Sequence, residues 1–272
     1  SHIPLRLVGS EMCIRDRYMH QILSLSNDAY EEIFQEINTA GLVEKKGIIF
    51  LSTPFSKKAV DRLENFGVKA YKIGSGECNN FSVLEAASIY KKPMIISTGM
   101  NTLNSCQETY DYAKSRIGNN IILMHTTNLY PTPFDLVRLG GITELSNICG
   151  EYIGLSDHTI NNLASLGAIA IGAVLIERHF TDTKNREGPD IINSMDPKSA
   201  RELVEGSKIL KLERGGTKGP IDEEKPVIDF AYASVVTISN IKAGEAFTRE
   251  NLWVKRPGTG PVSYTHLRAH ET

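Results

Sequence analysis

The stretch PMIISTGMNTLNSCQETYDYAKSRIGNNIILMHT (93–126) contains two short apolar runs, Pro93–Thr98 and Ile121–Thr126, with a segment of helical length between them. Both runs are too short for a helix and rich in isoleucine, which is how a buried strand reads. Both stay apolar until their last residues, where Ser97 and Thr98, then His125 and Thr126, appear. A strand, a helix and a second strand with short connections form a right-handed βαβ unit, and such units build a parallel sheet.

Working outward, the same unit recurs. Further strands are predicted over Gly47–Thr53, Ala70–Gly74, Tyr152–Asp157 and Ala173–His179. Helical segments fill the gaps between them. Before the first strand, Tyr30, Ile33, Phe34, Ile37 and Ala40 follow a helical stripe with Asp28 as N-cap. Ser56 caps a second helix carrying Ala59, Val60, Leu63 and Phe66, stopped at Gly67. Asp196 and Pro197 mark the start of another that ends at Gly215.

Six parallel strands fit either a doubly wound sheet or most of a β/α barrel. The strand ends decide between them. The six end in Ser52 and Thr53; Lys72, Ser75 and Glu77; Ser97 and Thr98; His125, Thr126, Asn128 and Tyr130; Ser156, Asp157 and His158; and Glu177, Arg178 and His179. One polar strand end is an ordinary helix cap, but six in succession point to a common mouth. In a β/α barrel the C-terminal strand ends form one. After Gly219 the pattern changes to short strand-like pieces, Ala233–Ile238 and Leu252–Lys255, around the turn Lys242–Glu245, and a small separate module is expected there.

The chain has 272 residues, 41% of them hydrophobic, and a formal net charge of -2, enough for one large α/β core plus an appendage. Interspersed charges give no nucleic-acid or membrane footprint. No apolar run approaches the roughly 20 residues of a membrane span. Cys13, Cys78, Cys106 and Cys149 show no CxxC spacing, which fits a reducing cytoplasm. The ends read differently from the middle. Residues 1–17, with LVGSEMCIRDR at 7–17, and residues 262–272, VSYTHLRAHET, resemble adapter read-through and are expected to be non-native.

Three features carry chemistry. Lys72 alternates with Tyr71 and Ile73 and so faces away from them. An inward lysine suits either phosphate pairing or a Schiff base. Gly74-Ser75-Gly76-Glu77 offers backbone N–H groups and a hydroxyl to an oxyanion. His158 and His179 end adjacent strands, about 4.8 Å apart, close enough to share a metal ion. With no thiolate nearby, oxygen donors would complete the shell, which favours a manganese-like ion over zinc. His125 is read as structural.

The motifs LSTPFS (51–56), AYKIGSGECNN (70–80), ISTGMN (96–101), TTNLYPTP (126–133), GLSDHT (154–159), ERHFTD (177–182) and GPDIINSMDP (188–197) resemble the N-acetylneuraminate (sialic acid) synthase family. KRPGTG (255–260) resembles the start of that family's antifreeze-like (SAF) module. The resemblance implies an α/β (β/α)8 TIM barrel over 18–218, with its first two strands missing, and a truncated SAF module over 222–261. It implies condensation of phosphoenolpyruvate with N-acetylmannosamine, aided by Mn2+. It assigns Thr53, Lys72, Ser75, Ser97, Asn128 and Ser156 to phosphoenolpyruvate, Glu77 to the reacting enol carbon, and His158 and His179 to the metal. Tyr130 and Asp190 fall on the sugar side. Phe230 and Arg256 are assigned to capping the partner's sugar site in a homodimer. A legionaminic- or pseudaminic-type synthase keeps the same mechanism with another sugar. A Schiff-base pyruvate aldolase would leave the two histidines unexplained, and a carbohydrate-binding or structural barrel would leave the polar strand ends unexplained, although a truncated product would behave as such an inactive binding fragment. Without two strands, Gly47–Thr53 and Ala173–His179 are each expected to be left with an unpaired side, and the chain as written to be poorly soluble and inactive.

Overall fold

The computed structural model describes residues 49–261 except 151, 186 and 189, together with Leu7–Val8. The chain divides into two compact units after Gly215. The first is built on a parallel sheet of β1 (Leu7–Val8), β2 (Tyr71–Ile73), β3 (Met94–Ser97), β4 (Ile121–Thr126), β5 (Ile153–Asp157) and β6 (Leu175–Arg178), in the order β1-β6-β5-β4-β3-β2. Strands β2–β6 are consecutive and parallel, and curl into half of a barrel.

The helices are α1 (Lys57–Asn65), α2 (Phe81–Ser88), α3 (Leu103–Ile117), α4 (Gly140–Cys149), α5 (Leu163–Ala170) and α6 (Pro197–Glu213). Side-chain caps start most of them by satisfying an orphan N–H. Ser56 accepts from Ala59 N at 3.2 Å, Thr102 from Ser105 N at 3.2 Å, and Asp196 from Ser199 N at 2.7 Å. The caps expected at Ser56 and Asp196 are therefore present, and Gly67 takes the positive φ of 72° that stops α1.

Two expectations need correction. Residues 49–53 do not form the regular strand predicted over Gly47–Thr53; that segment is tied to β2 by Lys72 N–H donating to Ser52 O at 3.4 Å. Residues 7–17 show no strand period, yet Leu7–Val8 pairs in parallel with Ile176 and Glu177. The exposed N–H and C=O row of an edge strand is a template for any extended segment, so Ala173–His179 is not left unpaired along its whole length. The expected helix Asp28–Ala40 and residues 1–6, 9–17 and 262–272 lie outside the described residues.

Strand alternation separates two kinds of surface. On the outer face, Tyr71, Ile73, Ile96, Leu123, Leu155 and Ile176 pack with the helices in the main core. Each such side chain contributes about 1.5–3 kcal/mol of transfer free energy, so this face holds the fold. On the inner face, Ile95, Met124 and Leu175 form a small cluster with Leu51 and Ile122. Gly154 permits it: a side chain there would strike the Met124 sulfur and meet the Leu175 carbonyl oxygen at 2.6 Å. Above this cluster the inner face turns polar, with Thr126, Ser156 and Glu177 side by side in register.

The second unit contains a 3-10 turn (Asp222–Glu224), α7 (Lys225–Ala231) and an antiparallel pair, β7 (Ser234–Thr237) and β8 (Leu252–Lys255). Its KRPGTG segment folds back on β7, with Ser234 Oγ donating to Pro257 O at 2.9 Å and accepting from Gly260 N at 2.8 Å. Among the described residues, no helix is long and apolar enough to cross a membrane.

His125 lies on the outer face. Its Nε2 donates to Val137 O at 2.8 Å, and its ring packs so closely on Gly141 that a side chain there would meet it at 2.6 Å. Burial pushes its pKa below the ordinary value. Folding thus favours the neutral ring, and the unfolded chain binds the extra proton. This contribution is complete above the unfolded pKa of about 6.5 and is lost as pH falls below it. The unfolding midpoint should drop between about pH 7.5 and pH 5.5. His125→Gln should lower the midpoint at the higher pH and flatten that drop; thermal unfolding at both pH values checks this, and an unchanged slope would count against it.

Candidate active site

The C-terminal strand ends gather three groups of polar side chains. The first centres on Lys72, buried at 6% exposure. Its ammonium donates to Ser97 Oγ at 2.7 Å and lies 3.3 Å from Glu177 Oε2. Glu177 Oε2 has no aligned hydrogen bond, so the contact acts as an ion pair. An inward lysine needs a partner, and a carboxylate two strand positions before His179 supplies it.

The second group joins the loops after β2 and β3. Gly99 N–H donates to Ser75 Oγ at 3.0 Å, and Asn101 Nδ2 donates to Ser75 O at 3.0 Å. Gly99 also lies against the Asn128 side chain, whose Oδ1 is buried without a hydrogen bond among the described residues. A Cβ at position 99 would overlap Asn128 Oδ1 and come within 2.9 Å of Ser75 Oγ. Ser75 accepts from Gly99, so its own hydroxyl proton is free to face an anion. Thr53 borders this loop, its methyl 3.5 Å from where a side chain on Gly74 would begin.

The third group is aromatic. The His158 and His179 rings meet edge-on with centroids 5.3 Å apart. Tyr130 lies over both, at 4.1 Å from His158 and 5.6 Å from His179. His158 Nδ1 is 2.9 Å from Thr127 O. A carbonyl only accepts, so Nδ1 carries the proton and Nε2 keeps its lone pair. Burial lowers the His158 pKa and keeps the ring neutral. Nε2 lies 3.5 Å from Ser156 Oγ, and Asp190 Oδ2 lies 4.0 Å from His179 Nδ1.

Glu77 is half-buried, and its Oε2 accepts from Asn80 Nδ2 at the start of α2, so the carboxylate beside Lys72 is Glu177. Phe230 and Arg256 are exposed side chains of the second unit. Glu177 stood among the strand-end residues of the sequence without a role. The signal was present: Leu175, Glu177 and His179 share one strand parity, so the rule that turns Lys72 inward turns Glu177 inward too.

Residues 14–218 match the NeuB family. The chain belongs to the NeuB family. It is 36% identical over 245 residues to the N,N'-diacetyllegionaminic acid synthase of Campylobacter jejuni, covering 89% of this chain and 72% of that protein. It is 31% identical over 235 residues to human N-acetylneuraminate-9-phosphate synthase, covering 86% and 64%. The N-acetylneuraminic acid (sialic acid) synthetase of Leptospira borgpetersenii superposes with a TM-score of 0.63 at 30% identity, over 68% of this chain and 65% of that one. The chain thus spans about two thirds of the length of these relatives.

The Lys72–Glu177 pair can be tested without substrate. Removing one member of a buried pair strands the other charge. Glu177 keeps some solvent contact, so Lys72→Met should cost about 1–3 kcal/mol of stability. Lys72→Met with Glu177→Gln should regain part of it. Urea unfolding of the unsubstituted chain, the two single variants and the double variant reads this, and additive losses would refute the coupling.

Proposed function

We propose that this chain carries the phosphoenolpyruvate- and metal-binding part of a nonulosonic acid synthase, joining phosphoenolpyruvate to an open-chain amino sugar and releasing phosphate. The supporting observation is the juxtaposition at one sheet edge of a buried Lys72–Ser97–Glu177 cluster and an edge-on imidazole pair. Among the relatives, synthases of sialic, legionaminic and pseudaminic acids all occur.

In this reading the half-barrel is part of an eight-stranded β/α barrel, and residues 222–261 belong to an antifreeze-like module. Lys72, Ser97, Ser75 and Thr53 hold the phosphate and carboxylate of phosphoenolpyruvate, joined by Asn128 and Ser156. A fixed ammonium with preorganised hydroxyls holds that charge without reorganising during reaction. The enol carbon attacks the sugar aldehyde, water adds at the carbon bearing the phosphate, and phosphate leaves with C–O cleavage. Glu177 and Glu77 are the two carboxylates available to take the water proton.

Among the described residues, no three His, Cys, Asp or Glu side chains gather as a metal site. The His158 tautomer nevertheless leaves a lone pair on Nε2, and Asp190 stands beside the His179 Nδ1, as outer carboxylates do for ligating imidazoles. Two imidazoles fit a divalent ion that takes its remaining donors from water and substrate, and Mn2+ suits that shell. When bound, the ion would supply Lewis acidity toward the sugar carbonyl. Tyr130 and Asp190 border this position and would orient the sugar. Phe230 and Arg256 would cap a partner's sugar in a cytoplasmic homodimer.

The sugar is N-acetylmannosamine in one reading and a diacetamido hexose in the other; the 36% identity to two N,N'-diacetyllegionaminic acid synthases favours keeping the second. Nothing in the Lys72–Ser97–Glu177 geometry calls for a covalent substrate adduct. Assaying both sugars with phosphoenolpyruvate in the full-length enzyme tests the proposal. EDTA should abolish phosphate release and Mn2+ should restore it, while His179→Ala should weaken the response to Mn2+ by about 10-fold or more. Lys72→Ala should raise KM for phosphoenolpyruvate and lower kcat. Full activity in metal-free buffer, or a borohydride-trapped pyruvyl adduct on Lys72, would overturn it.

A further inference from the structure

We propose that Arg178 is a positioning residue for the imidazole pair, acting from the outer face of the sheet on the loops that carry the site. This rests on the metal-site reading given above. Arg178 and Asp157 are lateral partners at the ends of β6 and β5, each one residue before a site histidine. Strand alternation turns both away from the substrate side. Arg178 is 2% exposed, and its Nε lies 3.6 Å from Asp157 Oδ2.

The guanidinium collects acceptors from two separate loops. Its Nη1 donates to Asn161 O and, at 2.7 Å, to Asn162 Oδ1. Its Nη2 donates to Thr159 O and, at 3.5 Å, to Asn193 O. Residues 159–162 follow His158, and Asn193 lies just beyond Asp190 in the turn facing His179. Asp157 holds the first loop from the other side, accepting from Thr159 N at 2.8 Å and from Ser165 Oγ. The histidines are also tied at their backbones: His158 O accepts from Thr132 N at 3.0 Å, and His179 O accepts from Met195 N at 2.8 Å. His158 is therefore held between the Arg178 fork and the loop after β4, while Asp190 is held by a turn whose far side meets the same fork.

A buried ion pair adds little net stability over apolar packing. What this one provides is geometry, since a planar fork of donors can satisfy carbonyls on two loops at once and a lysine cannot. Arg178 touches neither imidazole. Its effect on a bound ion would come from the fixed spacing of the two rings. Lys72, Ser75 and Ser97 belong to β2, β3 and their loops, outside this network.

The experiment uses the full chain with Mn2+ alone, followed by the electron paramagnetic resonance signal of free ion, and with phosphoenolpyruvate alone, followed by calorimetry. Arg178→Lys should weaken Mn2+ binding by about 10-fold, the low end of what losing a direct partner of a ligating imidazole costs, and leave phosphoenolpyruvate affinity within about 2-fold. Mn2+ affinity equal to the unsubstituted chain, or equal losses for both ligands, overturns the proposal; equal losses would mean general loosening. If Arg178→Lys does not fold, Asn162→Ala removes one acceptor from the fork and should weaken Mn2+ by about 3-fold. Unchanged affinity in that variant is equally fatal. If the unsubstituted chain itself takes up no Mn2+, the metal-site reading fails and this proposal falls with it.

Discussion

A buried ammonium requires an answer from the structure around it, and Lys72 obtains one from Ser97 on the next strand and Glu177 three strands further. Those three residues sit on the inner face at the top of a sheet whose lower inner face is apolar. A charge in a confined, apolar setting is costly unless it is paired and hydrogen-bonded. The pair therefore sets which side chains can occupy neighbouring inner positions: hydroxyls at 97, 126 and 156, small or apolar groups at 95, 124, 154 and 175.

Much of this was legible in the sequence because strand alternation has a period of two and polar strand ends stand out against apolar runs. Four of the expected strands appear with bounds differing by no more than two residues at either end, and a fifth, Ile121–Thr126, matches in full. The pairing of His158 with His179, and the inward lysine, follow from the same rule. Other features were hidden from it. Glu77 is drawn to Asn80 by a cap on α2, a contact that depends on how the GSGEC loop turns. Residues 49–53 carry strand-like side chains, yet they form no regular strand beside β2, where Lys72 N–H donates to Ser52 O. Leu7–Val8 pairs with β6 because an edge needs a partner, which no local pattern records.

The outward residues tell a complementary story. His125, Asp157 and Arg178 are as reactive in type as their inward neighbours, but one step along the strand places them behind the site. There His125 and Arg178 donate to loop carbonyls, and Asp157 accepts from the Thr159 N–H and the Ser165 hydroxyl. A list of chemically capable residues does not separate these two populations; parity does. It assigns binding work to one side and loop anchoring to the other, using side chains only one position apart.

The contact at Gly99 separates what the proposed anion site requires from what folding requires. Ser75 and Asn128 approach each other across a position where even one carbon would intrude. The surrounding core draws on the opposite face of the sheet and does not depend on that approach. A single methyl group at residue 99 would thus dismantle the anion cradle and leave the hydrophobic layer intact. In a lineage no longer under selection for its product, such a change would yield a silent relative: a chain that still folds, and still resembles its family at every strand, while having lost its chemistry.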